Sequence, residues 1–328
     1  MDISILNGLP SPPDDRTGWP WTEQTPNLPN TMPNGEAWPR ISIVTPSFNQ
    51  GQFIEETIRS ILLQGYPDLE YIVIDGGSTD NSVDIIEKYE PWLTHWVSEK
   101  DEGQAHAINK GMTKASGEIR AYINSDDYYC PHAFEKVALL LNASESDLFS
   151  GIVAAYPGEG HYYFTGFPRF KDWINSIFRS LAQPGTFWRY SPSLPEFDES
   201  LHCVFDRKFF LELIYRQSKI YYCDQVVAVF RLHDGSKTSN LEDRFFQENM
   251  RVNYELLTRL PEGEQLSVKR HLQFAEDRHR VHQLKHLKMS WNDLRIVCQL
   301  ILSIFSWMLR NRIVRYIKRS LTITNPFK

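Results

Sequence analysis

Four short apolar runs, three of them leading into acidic residues, constrain this fold most. The first is Ile41-Ser42-Ile43-Val44-Thr45-Pro46, the second Tyr71-Ile72-Val73-Ile74 and the third His95-Trp96-Val97-Ser98-Glu99. The fourth begins at Ile119 and passes through Ala121 and Ile123. The second runs into Asp75-Gly76-Gly77-Ser78-Thr79-Asp80, the third into Lys100-Asp101, and the fourth into Asn124-Ser125-Asp126-Asp127. Between the runs, Phe53, Ile54, Thr57, Ile58, Ile61 and Leu62, and then Val83, Ile85 and Ile86, fall at helical spacing. Ala105 to Gly111 opens a third helix, closed by Gly117. Strand–helix alternation with loops this short predicts an α/β fold: a mostly parallel sheet with helices on both faces.

In such a sheet ligands bind at the carboxyl ends of the strands. A carboxylate there is costly to bury unless something positive meets it. The Asp126-Asp127 pair suits a hard divalent cation that bridges to a phosphate, since Mg²⁺ takes one or two carboxylates plus phosphate oxygens. A polar turn after a strand is the plainer reading of the same residues. Gly76 and Gly77 allow a tight turn, and Asp80 is expected to cap the helix that follows.

After residue 131 the rhythm changes. A helix near 132–142 leads to a strand from Leu148 and an aromatic strand at Tyr162-Tyr163-Phe164. Gln183 to Trp188 follows, then Phe197-Asp198-Glu199 and Asp206 just before the helical run Phe209, Phe210, Leu211 and Leu213. A strand at Gln225 to Phe230 ends in Arg231-Leu232-His233, and from about 240 the pattern is helical. This divides the chain into an arm (1–39), a catalytic domain (40–235, split at 130/131) and a helical extension (236–328). The arm holds eight of the nineteen prolines, which exclude regular structure. Its Trp19, Trp21 and Trp38 favour packing on the body, with a disordered tail as the alternative.

Formal net charge is −6, which argues against a nucleic-acid binder. From Trp291 to Lys328 there are seven Lys/Arg and one acid, net +6, which leaves −12 on the residues before. The apolar stretch Leu294 to Leu309 is shorter than the ~20 residues a spanning helix needs. With the basic cluster after it, residues 291–320 suit a helix lying on an anionic membrane surface; packing on protein is the alternative. The four cysteines form no C-x-x-C pair, and the first residues lack the basic and apolar runs of a secretory leader. A cytoplasmic placement is therefore expected, peripheral to the inner face of a membrane if the basic stretch binds there.

In this order the runs resemble the family 2 inverting glycosyltransferases, over about 60% of the chain by length. The resemblance is carried by Ile43 to Asn49, by Asp75 to Asp80, by Ser98 to Asp101 with Ala107-Ile108-Asn109-Lys110-Gly111, and by Asn124 to Asp127. It implies the GT-A fold and a nucleotide-sugar donor, with a UDP-sugar foremost. Thr45, Pro46 and Asp75 would line the nucleoside pocket, with Asn49, Asp101 and Lys110 also on the donor. Asp126 and Asp127 would hold Mg²⁺ or Mn²⁺ on the diphosphate, and Arg231 and His233 would close over it. The acceptor would be a glycan or lipid-linked sugar, as in cell-surface polysaccharide synthesis. Asn124 stands where many members have an acid, and His106 where many have aspartate; His106 is either a donor to phosphate or sugar or a helix-surface residue. An inverting transfer needs a general base. Asp206 is the choice for it and Asp198 the rival, while a helix cap is the non-catalytic reading of Asp206. Gln183 and Trp188 are either sugar contacts or core. A sugar nucleotidyltransferase and a non-catalytic binding protein of the same fold are the alternatives; residues 45–53 carry no Lys or Arg to hold a triphosphate.

Overall fold

The computed structural model describes residues 5–157, 163–164, 181–216, 218–235, 241–260 and 262–284. It divides into two compact units, Met1–Asn249 and Met250–Lys328. In chain order the first unit runs β1 (Ile41–Ser47), α1 (Ile54–Leu62), β2 (Leu69–Asp75), α2 (Ser82–Tyr89), β3 (His95–Ser98), α3 (Gln104–Lys114) and β4 (Ile119–Tyr122). It continues with β5 (Tyr128–Tyr129), α4 (Ala133–Ser144), β6 (Leu148–Tyr156), β7 (Tyr163–Phe164), β8 (Thr186–Arg189), α5 (Phe205–Tyr215) and β9 (Ile220–Arg231). Helix α6 (Glu242–Leu257) crosses into the second unit, which holds α7 (Glu262–Leu284). The helical reading beyond residue 240 thus holds for the described residues, while 291–320 lies outside them.

The strands form one sheet in the order β3-β2-β1-β4-β8-β6-β9-β5, with β7 beside β6. The first four are all parallel. Antiparallel pairs enter with β8, β7 and β5, while β6 and β9 are parallel. Strand order reverses at β1, which pairs β2 on one side and β4 on the other. Such a switch point leaves a crevice at the carboxyl ends. Its mouth follows from the register. β1 pairs β2 through Ser47 opposite Asp75, but pairs β4 only as far as Val44 opposite Tyr122. Thr45, Pro46 and Ser47 therefore have no ladder partner on the β4 side, where the proline's missing N–H does no harm.

Every residue of β1 is buried, as are Glu70 to Asp75 of β2. Helix α3 packs on β1 and β2 so closely that a side chain at Gly111 would meet Val44 and Ile74. The proline-rich arm lies on the body: Trp21 and Trp38 are buried, and Trp19 Nε1 donates to Tyr129 O (2.8 Å). The helix cap expected at Asp80 is displaced by one residue. Asn81 is the cap of α2, and Asp80 accepts instead from Ser82 N (3.0 Å) and from Gly51 N (2.9 Å) across the crevice loop.

Candidate active site

The parallel register puts the ends of β1, β2, β3 and β4 on one edge, and the predicted acids with them. Asp75 is fully buried. Its carboxylate accepts from Gly77 N (3.0 Å), Ser78 N (2.8 Å), Ser78 Oγ (2.5 Å) and Ser98 Oγ (2.7 Å). It ties the β2 loop to the end of β3. Gly77 sits at φ +81°, which only glycine adopts easily. Gly76 lies against the Asp101 carboxylate, where a Cβ would come within 2.5 Å. Asp101 in turn accepts from Gly103 N (2.8 Å) ahead of α3. Asn49, at φ 52°, joins the β1 and β2 loops: its N–H donates to Ser78 Oγ (2.7 Å) and its Oδ1 accepts from Thr79 N (2.8 Å). Thr45 is buried, with Tyr71 Oη donating to its hydroxyl (3.2 Å). Lys110 is ion-paired with Glu99, and His106 Nδ1 accepts from Glu102 N (3.2 Å).

The Asp126-Asp127 pair splits in two directions. Asp126, with its side chain 16% exposed, lies with Oδ2 3.0 Å from His233 Nε2. Asp127 is fully buried. It accepts from Arg231 N (3.0 Å) and, more distantly, from Asn124 Nδ2 (3.4 Å). Burial, and behind it the Asp126 charge, push its carboxyl well above the usual carboxylate range. Asn124 is held by Gln104 Nε2 (2.5 Å), so the residue replacing an acid links α3 to the pair. The Arg231 guanidinium is buried between the Phe53 and Tyr128 rings, 5.2 and 4.8 Å from their centroids. Its Nη2 stands 2.9 Å from Glu56 Oε2, an ion pair out of line for a hydrogen bond. His233 packs on Phe53 too, centroids 4.6 Å apart.

On the second half of the sheet, Asp206 occupies the first turn of α5. Its cap reading is overturned: Val204 is the cap residue. The amino-end N–H groups of His202 (3.0 Å), Cys203 (2.7 Å) and Val204 (3.3 Å) are taken by the Glu248 carboxylate. Burial, then the charges of Asp206 and Asp127, hold the Tyr122 hydroxyl well above its ordinary value, so both acids act on one side chain. Tyr122 also packs on Phe205, centroids 6.4 Å apart. Asp198 is engaged elsewhere. Burial opposes its charge, but Lys208 (2.8 Å) and the Ser200 N–H and hydroxyl prevail and lower it to about 2. Trp188 is buried among Phe197, Phe209 and Phe210, and Gln183 Nε2 donates to Tyr122 O (2.6 Å), so both serve the core.

Several residues at the site are assigned no role by the sequence. Asn109 on α3 fastens the strand-to-helix segment before Asp206: it donates to Phe197 O (2.9 Å) and Glu199 (2.7 Å) and accepts from Phe197 N (2.9 Å). Glu56, Phe53 and Gln104 are of the same kind. A cleft of about 220 Å³ is lined by Asn109, Arg120, Trp188, Tyr190 and Glu196; of the candidate contacts read from the sequence Trp188 alone lines it, and none of the predicted acids does. Among the described residues no group of three or more His, Cys, Asp or Glu side chains converges as a metal site. Asp126, the carboxylate of the pair that is not turned inward, is the one that would meet Mg²⁺ or Mn²⁺ taking most of its ligands from a diphosphate.

Comparison with known proteins agrees with this geometry. The glycosyl transferase family 2 model matches residues 42–192. An uncharacterized glycosyltransferase of Nostoc sp. is 24% identical over 79% of this chain and 88% of its own length. TuaG of Bacillus subtilis, named for teichuronic acid biosynthesis, is 39% identical over 30% of this chain and 40% of its own. Among solved structures, S. aureus TarS 1-349 with UDP-GlcNAc superposes with TM-score 0.60 at 20% identity, covering 80% of this chain and 79% of that one. The mannosyltransferase PcManGT of Pyrobaculum calidifontis, with GDP-Man and Mn²⁺, gives 0.57 at 17% identity, covering 88% and 84%. With the parallel 3-2-1-4 strand order and acids at its switch point, the chain is a glycosyltransferase of GT-A fold whose residues 42–192 match glycosyl transferase family 2.

Proposed function

We propose that the protein transfers a sugar with inversion from a nucleotide-sugar, a UDP-sugar foremost, to a hydroxyl of a glycan or lipid-linked acceptor in polysaccharide synthesis. The observation that carries this reading is the meeting of the Asp126–Asp127 turn with Arg231 and His233 at the carboxyl edge of the parallel strands. It gathers two carboxylates, a guanidinium and an imidazole from separate segments where a diphosphate would lie. Thr45, Pro46 and Asn49 face the nucleoside, and Asp75 and Asp101 hold the loops that shape its pocket. Asp126 and Asp127 would hold Mg²⁺ or Mn²⁺, which when bound neutralises charge on the leaving diphosphate. Arg231 adds positive charge and His233 a ring nitrogen at the same place, with Lys110 further along α3. Asp206 takes the acceptor's proton as that oxygen attacks the sugar carbon from the face opposite the nucleotide. UDP-GlcNAc in TarS and GDP-Man with Mn²⁺ in PcManGT support the donor class and the cation. TuaG's name supports a polymer acceptor.

The catalytic unit in this reading is 40–235, with 1–39 as its brace and 236–328 as an extension. Residues 291–320 touch an anionic membrane, at its cytoplasmic face. No helix among the described residues is long and apolar enough to cross a membrane. A sugar nucleotidyltransferase is disfavoured by a specific feature: Asn49, Gln50 and Gly51 already donate their N–H groups to Ser78, Ser82 and Asp80. Those three N–H groups are thus engaged within the protein and do not cradle a triphosphate. The test is a thermal-shift series with UDP- and GDP-sugars with and without Mn²⁺. A ligand of the native state raises the melting temperature. Stabilisation by one nucleotide-sugar with Mn²⁺ is expected, and none by any of them would end the reading.

A further inference from the structure

Helix α1 reads as an amphipathic helix with a buried apolar stripe, yet three polar residues sit on or just past that stripe. Thr57 and Ser60 are fully buried and Gln64 is 2% exposed. All three face the segment that carries the acid pair. The Thr57 hydroxyl lies 2.9 Å from Ser125 O and 2.6 Å from Asp127 O. Ser60 Oγ accepts from Tyr129 N (3.1 Å). Gln64 donates to Cys130 O (3.0 Å) and accepts from Ala133 N (3.0 Å). From the other direction Trp19 Nε1, in the arm outside the family match, holds Tyr129 O. The backbone from Ser125 to Ala133 is therefore fixed by side chains of one helix and one arm.

Thr57 stands apart from the others because its two acceptors bracket Asp126. One hydroxyl hydrogen serves the carbonyls on both sides of that residue. This ties the turn at two points and leaves Asp126 to project toward His233 while Asp127 turns inward to Arg231 N. We propose that Thr57 is a positioning residue for the Asp126–Asp127 pair, setting the placement of the two carboxylates toward a diphosphate-bound cation. The inference rests on the donor site proposed above. Partners behind a metal ligand orient it, and losing one costs about 10–100-fold in metal affinity or activity.

The test compares Thr57→Val, which keeps the branched shape without the hydroxyl, with Thr57→Ser, which keeps the hydroxyl without the methyl. Calorimetry measures UDP and GDP binding to the full chain with and without Mn²⁺, beside melting temperatures. Thr57→Val is expected to weaken the Mn²⁺-dependent component by about tenfold or more. Metal-free nucleotide binding stays near wild type, and Thr57→Ser restores the wild-type value. A role in packing alone predicts losses that follow melting temperature in both variants and in both metal conditions. Wild-type Mn²⁺ dependence in Thr57→Val, or no rescue by serine, overturns the inference. If Thr57→Val does not fold, Thr57→Cys, with a weak donor of similar size, is expected to give an intermediate loss; wild-type Mn²⁺ dependence there overturns the inference equally. Asp126→Ala separates the two readings. If it removes Mn²⁺ dependence while Thr57→Val does not, only the positioning role falls. If wild-type protein binds UDP and GDP indifferently to Mn²⁺, the metal site falls and this inference with it.

Discussion

His233 Nε2 stands 3.0 Å from Asp126 Oδ2, which brings the last residues of β9 back onto the turn after β4. The two are 107 residues apart in sequence. Phe53 fixes the imidazole from α1's leading edge, so three separate segments meet at one carboxylate. His233→Ala should weaken Mn²⁺-dependent nucleotide binding by about 10–100-fold, with the melting temperature little changed because the ring is at the rim. Calorimetry decides this, and unchanged binding would remove His233 from the site.

Asp206 and Asp198 separate cleanly as candidate bases. Asp198 is ion-paired with Lys208 and held to about 2, so it is a poor proton acceptor near neutrality. Asp206→Asn should lower turnover by roughly a hundred- to ten-thousandfold with nucleotide affinity retained. Asp198→Asn should leave turnover near wild type and cost about 0.5–1 kcal/mol of stability through the lost, partly buried ion pair. Steady-state kinetics on both variants checks the pair of outcomes. A large turnover loss in Asp198→Asn alone would reverse the assignment.

The parallel half of the sheet was legible because each strand is an apolar run and each ends in residues that break it. The acids at the strand ends follow from that pattern alone. What the pattern could not give is which acids are already satisfied. Asp75 and Asp198 meet some of their donors within a few residues, but local spacing does not say whether a serine hydroxyl turns inward. Long-range partners are less legible still. Glu248 lies 44 to 46 residues beyond the backbone it caps and has no local signature, so a cap stood as the non-catalytic reading of Asp206. Thr57 was visible as a member of the inward stripe of α1, but a threonine there reads as a small branched core residue. Its hydrogen bonds appear only once the turn after β4 is placed against the helix.

Glu248 makes acid stability testable. Burial opposes its charge, but the N–H groups at Cys203, His202 and Val204 together with Arg244 hold its carboxyl below the ordinary 4.5. A carboxyl lowered in the folded state contributes stability in full above its unfolded value and loses it as pH falls through the folded one. Glu248→Gln should therefore cost about 1–3 kcal/mol near neutral pH, as a charged acceptor of backbone donors is removed. The gap from wild type should narrow below pH 4.5, where the native glutamate itself protonates. Urea unfolding across pH 3 to 7, on the order of one unit per step, resolves the two limbs. A gap that is constant with pH would mean that the charge contributes nothing.

Arg59 is the anchor of the proline-rich arm. The guanidinium is fully buried in α1 and donates to Pro10 O (2.8 Å), Pro20 O (3.0 Å) and Trp21 O (2.7 Å), three carbonyls of a segment that cannot form regular structure. The Trp21 ring lies 5.5 Å beneath it and Tyr89 Oη accepts a further N–H (3.0 Å). Hydrogen bonds to a charged donor contribute about 1.5–3 kcal/mol each, and their loss leaves buried carbonyls unpaired. Arg59→Met, of similar length and without donors, should destabilise the protein by about 3 kcal/mol or more. It should also expose residues 5–39 to limited proteolysis ahead of the rest of the chain. Because Trp19 holds the backbone just after the acid pair, the loosened arm should weaken Mn²⁺-dependent nucleotide binding too. Unfolding and digestion at wild-type rates would show instead that the arm is held by its tryptophans without the arginine.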